Sequence, residues 1–349
     1  MAVSGTLTGA ILPLNACEGN YGSNMQASSL ADWTEYCALK GKVAPWHSVR
    51  EFMREAGVPP VIIDQSYGDE AFVNGQLFDD MEERAALDGD AALQMEPTGG
   101  AGQDTAHRLI CQRAQYLGDS YPFEFDEFNR LRLKERVDIE HNPYIMFLRI
   151  SILKGWLYPS DKTVLLPITN LFEQLIAASM RCAGLRAAVV GTSKSEGFDI
   201  KLRKSASSIG LDCDPHAVEH SPYAKDEGVD IIGGCIAQDH RIGEPIWLIQ
   251  AACGKSGNDW ENKLMHIDPG KWSRYLCSRS HPYAFLAVPY HLTEQAIEGF
   301  MHYGDTRSFL DRLRLVHMAG LSMHNIDKST QKMADDVLEL ETEWWRKLI

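Results

Sequence analysis

Residues 246–264 read IWLIQAACGKSGNDWENKL. An apolar, β-branched run ends in Gln250, passes through Gly254-Lys255-Ser256 and enters a helical pattern at NDWENKL. Read as a phosphate loop, Gly254-Lys255-Ser256 supplies the second half of G-x-x-x-x-G-K-[ST]. The first glycine of that motif falls on Ile249, inside the extended run. Backbone amides that are still committed to a strand cannot wrap a phosphate. VVGTSKSEG, at residues 189–197, lacks the G-x-G-x-x-G spacing as well. The stretch is therefore the end of a buried strand, and its polar residues, Gln250 and Lys255, need another explanation.

Working outward, the same texture holds from about 163 to 300. TVLLPITNLFEQLIAASMRCAG predicts a helix, with Phe172, Leu175, Ile176, Ser179 and Met180 at helical spacing and Gly184 as its stop. AAVVG reads as a short strand and the polar FDIKLRKSASS as a connection. GVDIIGGCIA and PIWLIQAAC read as two strands joined through RIGEP. NDWENKLMHI and PGKWSRYLC are helical in pattern, and PYAFLAVPY is a strand bounded by prolines. The order helix, strand, strand, strand, helix, strand predicts an α/β core with a mixed sheet.

Three polar residues interrupt these apolar elements: Glu173 on the first helix, Asp230 at the start of the second strand and Gln250 in the third. Carboxylates and amide carbonyls brought together from adjacent strands are hard oxygen ligands suited to Mg²⁺. A nearby lysine offsets phosphate charge. In this order Glu173, Asp230 and Gln250 resemble the PD-(D/E)xK nuclease superfamily, over roughly residues 165–300. The resemblance implies a restriction-endonuclease-like core (α-β-β-β-α-β), with Asp230, Gln250 and Glu173 as metal ligands for Mg²⁺ or Mn²⁺. It also implies hydrolysis of phosphodiester bonds, in DNA, in a restriction or anti-phage setting beside other subunits. Two departures stand out. The position two after Gln250 is Ala252 rather than Lys, so the lysine role falls to Lys255 or to Lys263 on the next helix. Gln250 also carries one charge less than the family's Glu. Both departures leave open a second class: a nuclease-fold scaffold that binds a protein partner and need not bind metal.

The rest of the chain divides into a mostly helical region at 1–160, the core at 161–300 and C-terminal helices at 301–349. SLADWTEYCALKG and SVREFMREAGVPP carry N-cap serines and terminal glycines. Residues 105–158 look helical, and residues 64–104 are acidic, with eleven Asp or Glu against Arg84, and end in EPTGGAGQD, a flexible composition. The tail is helical through SFLDRLRLVHMAG and STQKMADDVLELETEWWRKL, which includes Trp344 and Trp345.

The 349 residues, 44% of them apolar, suffice for two or three units with a sizeable core. The net charge of −14 argues against broad, non-specific nucleic-acid binding, although residues 181–204 are locally basic. No apolar run reaches the length of a membrane span and no basic leader opens the chain. Eight cysteines form no CxxC pair. Several, such as Cys182, sit in apolar contexts, so the expectation is packed, reduced thiols and a cytoplasmic protein. A homo-oligomer is compatible with a nuclease that cuts both strands, though no residue argues for one. Two further clusters invite chemistry. DCDPHAVEH places His216 and His220 at His-x₃-His spacing, without the HExxH order of catalytic zinc sites. Cys253 offers a thiol nucleophile with His266 or His281 as base.

Overall fold

The protein is described by a computed structural model covering residues 30–41, 99–156, 162–190, 196–219, 226–237, 243–254, 257–294, 297–298, 307–324 and 326–348. Lys255, most of the acidic segment and the SVREFMREAGVPP stretch lie outside the described residues.

Helix α1 covers residues 30–39. Helix α2 (Gly99–Leu117) and a 3₁₀ turn lead to a two-stranded hairpin, β1 (Phe123–Phe125) and β2 (Leu131–Leu133), followed by α3 (Pro143–Trp156) and α4 (Lys162–Cys182). Then come β3 (Arg186–Val189), α5 (Phe198–Ile209), β4 (Ile231–Gly234), β5 (Ile246–Ala251), α6 (Gly257–His266), α7 (Pro269–Tyr275) and β6 (Tyr283–Ala287). The chain continues through β7 (Arg307–Leu310), α8 (Arg312–Ala319) and α9 (Lys328–Leu348).

The main sheet has five strands in the order β3-β4-β5-β6-β7. The pairs β3–β4 and β4–β5 are antiparallel; β5–β6 and β6–β7 are parallel. The mixed sheet of an α/β fold is therefore present. Both faces are covered, which explains why the strands read as continuous apolar runs rather than alternating ones. Trp247, Ile249, Phe285 and Ala287 face α4 with Leu171, Phe172, Leu175 and Ile176, and α1, α2, α3, α8 and α9 add to the same cluster. Leu248, Leu286 and Ile232 face the other way, onto Leu202 of α5, Trp260 of α6 and Trp272 of α7. Burying an apolar side chain of this size contributes about 1.5–3 kcal/mol. Phe172→Ala alone would therefore cost about 3–5 kcal/mol. Gly233 is required by this packing: a Cβ there would lie 2.4 Å from the Arg186 carbonyl oxygen and 2.7 Å from Met180 Cε of α4.

Four sequence expectations change. FDIKLRKSASS is helix α5, not a connection: Phe198, Leu202, Ala206 and Ile209 form its buried stripe, while Arg203 and Lys204 point outward. Gly210 closes it at φ 84°. Arg307–Leu310, read as the start of a helix, is the fifth strand; the helix starts after Asp311, whose side chain caps the Arg314 N–H at 3.1 Å. The hairpin β1–β2 interrupts a region read as helical. Gly99–Asp104, read as flexible, belongs to α2.

Behind α4 lies a buried ionic network. Asp32 and Glu35 of α1 meet Arg113 of α2 and Arg312 of α8, and all four are at most 3% exposed. Arg113 Nη1 lies 2.9 Å from both Asp32 and Glu35. Arg312 grips Asp32 through both of its terminal nitrogens, at 2.9 and 2.5 Å. Tyr121 and Tyr144 donate to Glu35 at 2.6 and 2.8 Å, and Ser151 donates to Asp32 at 3.1 Å. Two carboxylates balance two guanidinium groups, which is the condition for burying charge at tolerable cost. The network joins residues 280 positions apart in the chain. A further buried carboxylate, Glu341 of α9, accepts from Tyr36 at 2.6 Å and pairs with Lys40 at 2.7 Å, fastening α9 to α1.

Candidate functional site

The end of β5 is where the polar residues singled out above converge. Asp230 stands one residue before β4. Its backbone N–H donates to the Ile249 carbonyl at 2.9 Å, and its Oδ2 accepts from the Ala251 N–H at 2.8 Å. The two bonds land on either side of Gln250 and hold the Asp230 carboxylate beside it. The Asp230 carbonyl accepts from Val190 N–H at 2.8 Å, so the residue is pinned across three strands.

Gln250 is the last but one residue of β5. Its Oε1 is buried and has no hydrogen-bond partner among the described residues. A buried amide oxygen without a donor costs about 1–3 kcal/mol. Such a group in a native fold calls for a partner, be it a water, an ion or a ligand.

Glu173 projects from α4, where it is only 8% exposed. Among the described residues none hydrogen-bonds or ion-pairs with its carboxylate. Its carboxyl is pushed up to about 8, first by burial and then by repulsion from Asp230 and Asp226. The Asp230 carboxyl is pushed up to about 6: burial and Asp226 raise it, while the Ala251 N–H and Lys263 pull it down. The three carboxylates sense one another without forming a single ligand set, for their oxygens do not all lie within 4.8 Å of one another.

Asp226 was not singled out in the sequence, where it reads as one more acid in KDEGVD. Its Oδ1 accepts from Gly228 N–H at 3.0 Å and shapes the turn before β4. Glu227 in the same turn pairs with Lys271 of α7 at 2.6 Å, which fixes the turn against the far layer.

Lys263 is the cation that the structure brings to Asp230. Trp260 Nε1 donates to the Gly254 carbonyl at 2.7 Å, which ties the first turn of α6 to the exit of β5. Lys263 follows three residues later on the same helix face. Its ammonium lowers both the Asp230 carboxyl and the Cys253 thiol. Ala252, at the family's lysine position, is buried on the opposite face of the sheet from α4.

The Cys253 thiol is a poor nucleophile in this setting. It is buried and pushed up to about 12 by that burial, against the pull of Lys154 and Lys263. His266, one of its two candidate bases, is exposed at the far end of α6. The expectation of a thiol-dependent hydrolase therefore fails on the protonation state of the sulfur. The 211–219 stretch forms no helix, so the His-x₃-His zinc arrangement has no helical face to use; His220 lies outside the described residues. Cys182 is exposed rather than packed. The basic run is divided: Arg181, Arg203 and Lys204 are exposed, while Lys201 is buried.

No protein-family model, curated protein or solved structure matches the chain.

Proposed function

We propose that the chain is a metal-dependent nuclease of the PD-(D/E)xK type that hydrolyses phosphodiester bonds. The observation that carries this reading is the Gln250 Oε1, buried without a hydrogen-bond partner among the described residues and set across the β4–β5 pair from Asp230, whose carboxylate in turn raises that of Glu173. An amide carbonyl and a carboxylate set side by side in this way offer hard oxygen ligands to a cation. The antiparallel–antiparallel–parallel pairing of β3, β4, β5 and β6 supports the same reading, with α5 inserted between the first two strands and α7 following α6.

Asp230 and Gln250 would hold Mg²⁺ or Mn²⁺ through hard oxygens. Such an ion supplies charge neutralisation and Lewis-acid polarisation of a phosphoryl oxygen. Glu173, once ionised, would receive the proton of an attacking water. Lys263 offsets the charge that builds on the phosphoryl oxygens. This assigns the lysine role to Lys263; Lys255, the first candidate, lies outside the described residues. DNA is the proposed substrate, within a restriction or anti-phage setting that can include a protein partner or a second copy of the chain.

Ala252 supports a second reading, a nuclease-fold scaffold that has lost its catalytic lysine and binds a protein partner. One experiment separates the two. Plasmid DNA and single-stranded RNA are incubated with the full chain in Mg²⁺, Mn²⁺ or EDTA, next to Asp230→Ala. The nuclease reading expects metal-dependent cutting that Asp230→Ala abolishes, with DNA cut faster than RNA. Equal product from wild type and Asp230→Ala, or none in any metal, goes against it.

A further inference from the structure

At the opposite end of α3 from Lys154 lies a second group of metal-binding side chains. Lys154 is near the C-terminal end of this helix, and 14 residues span about 21 Å. Asp138 and His141 sit in the turn before α3, and His324 sits in the connection between α8 and α9. Among the described residues these are the three His, Cys, Asp or Glu side chains whose ligand atoms lie within 4.8 Å of one another.

The Asp–His separations are near those between ligands of one metal ion. Asp138 Oδ2 is 3.1 Å from His141 Nδ1 and 3.6 Å from His324 Nε2. Tetrahedral Zn²⁺ with bonds of about 2.0–2.1 Å places its ligands roughly 3.3–3.4 Å apart. The imidazole rings stand 4.7 Å apart at 44°, tilted rather than stacked.

The backbone holds these side chains in place. Asp138 Oδ1 accepts from the Glu140 and His141 N–H groups, both at 3.2 Å, and both carboxylate oxygens lie 3.1 Å from His141 Nδ1. The Met323 N–H donates to the His141 carbonyl at 2.9 Å, and Met323 itself is fully buried. His324 is therefore carried on an anchored segment although its side chain is 63% exposed. Orienting bonds behind the ligands are the usual support of a metal site. Exposure leaves room for water at the fourth position.

We propose that Asp138, His141 and His324 form a surface site for a divalent transition metal of the Zn²⁺ class, separate from the Asp230–Gln250 cluster. Two imidazoles and one carboxylate favour Zn²⁺, Co²⁺, Ni²⁺ or Cu²⁺ over Mg²⁺. The bound ion fastens the α8–α9 connection to the entry of α3, and so fixes the start of α9.

Co²⁺ is the probe, because its visible absorption reports tetrahedral coordination by nitrogen and oxygen. The full chain is titrated as Asp230→Ala, alone and combined with His141→Ala or His324→Ala, with circular dichroism to confirm folding of each. The ligand side chains are at the surface, so the variants keep their core. The expected result is one tetrahedral Co²⁺ per chain in Asp230→Ala, displaced by Zn²⁺, with affinity falling at least tenfold when either histidine substitution is added to Asp230→Ala. Zn²⁺ should raise the melting temperature of Asp230→Ala but not of Asp230→Ala combined with His324→Ala. Undiminished tetrahedral Co²⁺ binding in both combined variants overturns the proposal, as does the absence of Co²⁺ binding by folded Asp230→Ala. Neither result depends on whether the chain cleaves nucleic acid.

Discussion

Glu173 gives the most quantitative handle on the proposed site. Its carboxyl rises from an ordinary value of 4.5 to about 8 on folding. The folded chain therefore binds a proton that the unfolded chain releases. The stabilisation is complete below about pH 4.5 and is lost as pH rises through 8. A shift of this size corresponds to about 5 kcal/mol in all, of which about 3–4 kcal/mol falls between pH 5 and pH 8. Glu173→Gln keeps the shape and removes the charge. Chemical denaturation in EDTA should show wild type losing stability relative to Glu173→Gln by that amount across this interval. Divalent metal should reverse the trend, because it favours the ionised carboxylates. At pH 7 Glu173 is about nine-tenths protonated and Asp230 about one-tenth, from their values of about 8 and about 6. Calorimetric titration with Mn²⁺ in buffers of different ionisation enthalpy should therefore register about one proton released per ion. Parallel pH profiles for wild type and Glu173→Gln would refute the buried, repelled carboxylate. Metal binding without proton release would remove Glu173 from the ion's surroundings.

Gln250→Leu should raise stability in EDTA by about 1–2 kcal/mol, since it replaces a buried acceptor that has no donor, while weakening Mn²⁺ affinity; a loss of stability would show that the amide oxygen is satisfied in the metal-free protein. Asp32→Ala leaves Arg312 buried without its bidentate partner and should cost about 3–5 kcal/mol in urea denaturation, whereas a cost below about 1 kcal/mol would mean that the network rearranges. Cys253 should resist iodoacetamide in the folded chain near neutral pH, with modification read by peptide mass; rapid labelling there would contradict its burial and raised thiol.

Much of the architecture is legible in the local sequence. The 3.6-residue spacing of α4 and the uninterrupted apolar runs of β4, β5 and β6 are physical signatures of a sheet covered on both faces. The polar residues that break those runs, Asp230 and Gln250, stand across from each other on adjacent strands, and the Asp230 carboxylate acts on that of Glu173. Other parts are hidden for identifiable reasons. The buried stripe of α5 is diluted by Lys201, Arg203 and Lys204, so its composition looks like a loop. The four residues of β7 run straight into α8 and borrow that helix's pattern. Asp32, Glu35, Arg113 and Arg312 look like ordinary surface charges, because only the fold brings together partners separated by up to 280 positions. The Asp138–His141–His324 group is dispersed for the same reason. Lys263 was one of two candidates on spacing alone, and the Trp260–Gly254 bond that places it depends on how α6 leaves the strand.

The most direct test of the proposed site is the single-turnover cleavage rate of a labelled DNA duplex in Mg²⁺ by wild type, Asp230→Ala and Lys263→Ala. The account predicts cleavage by wild type that EDTA abolishes, a loss of about 10²–10³-fold in Lys263→Ala, and no product above background in Asp230→Ala. Cleavage by Asp230→Ala at the wild-type rate would contradict it.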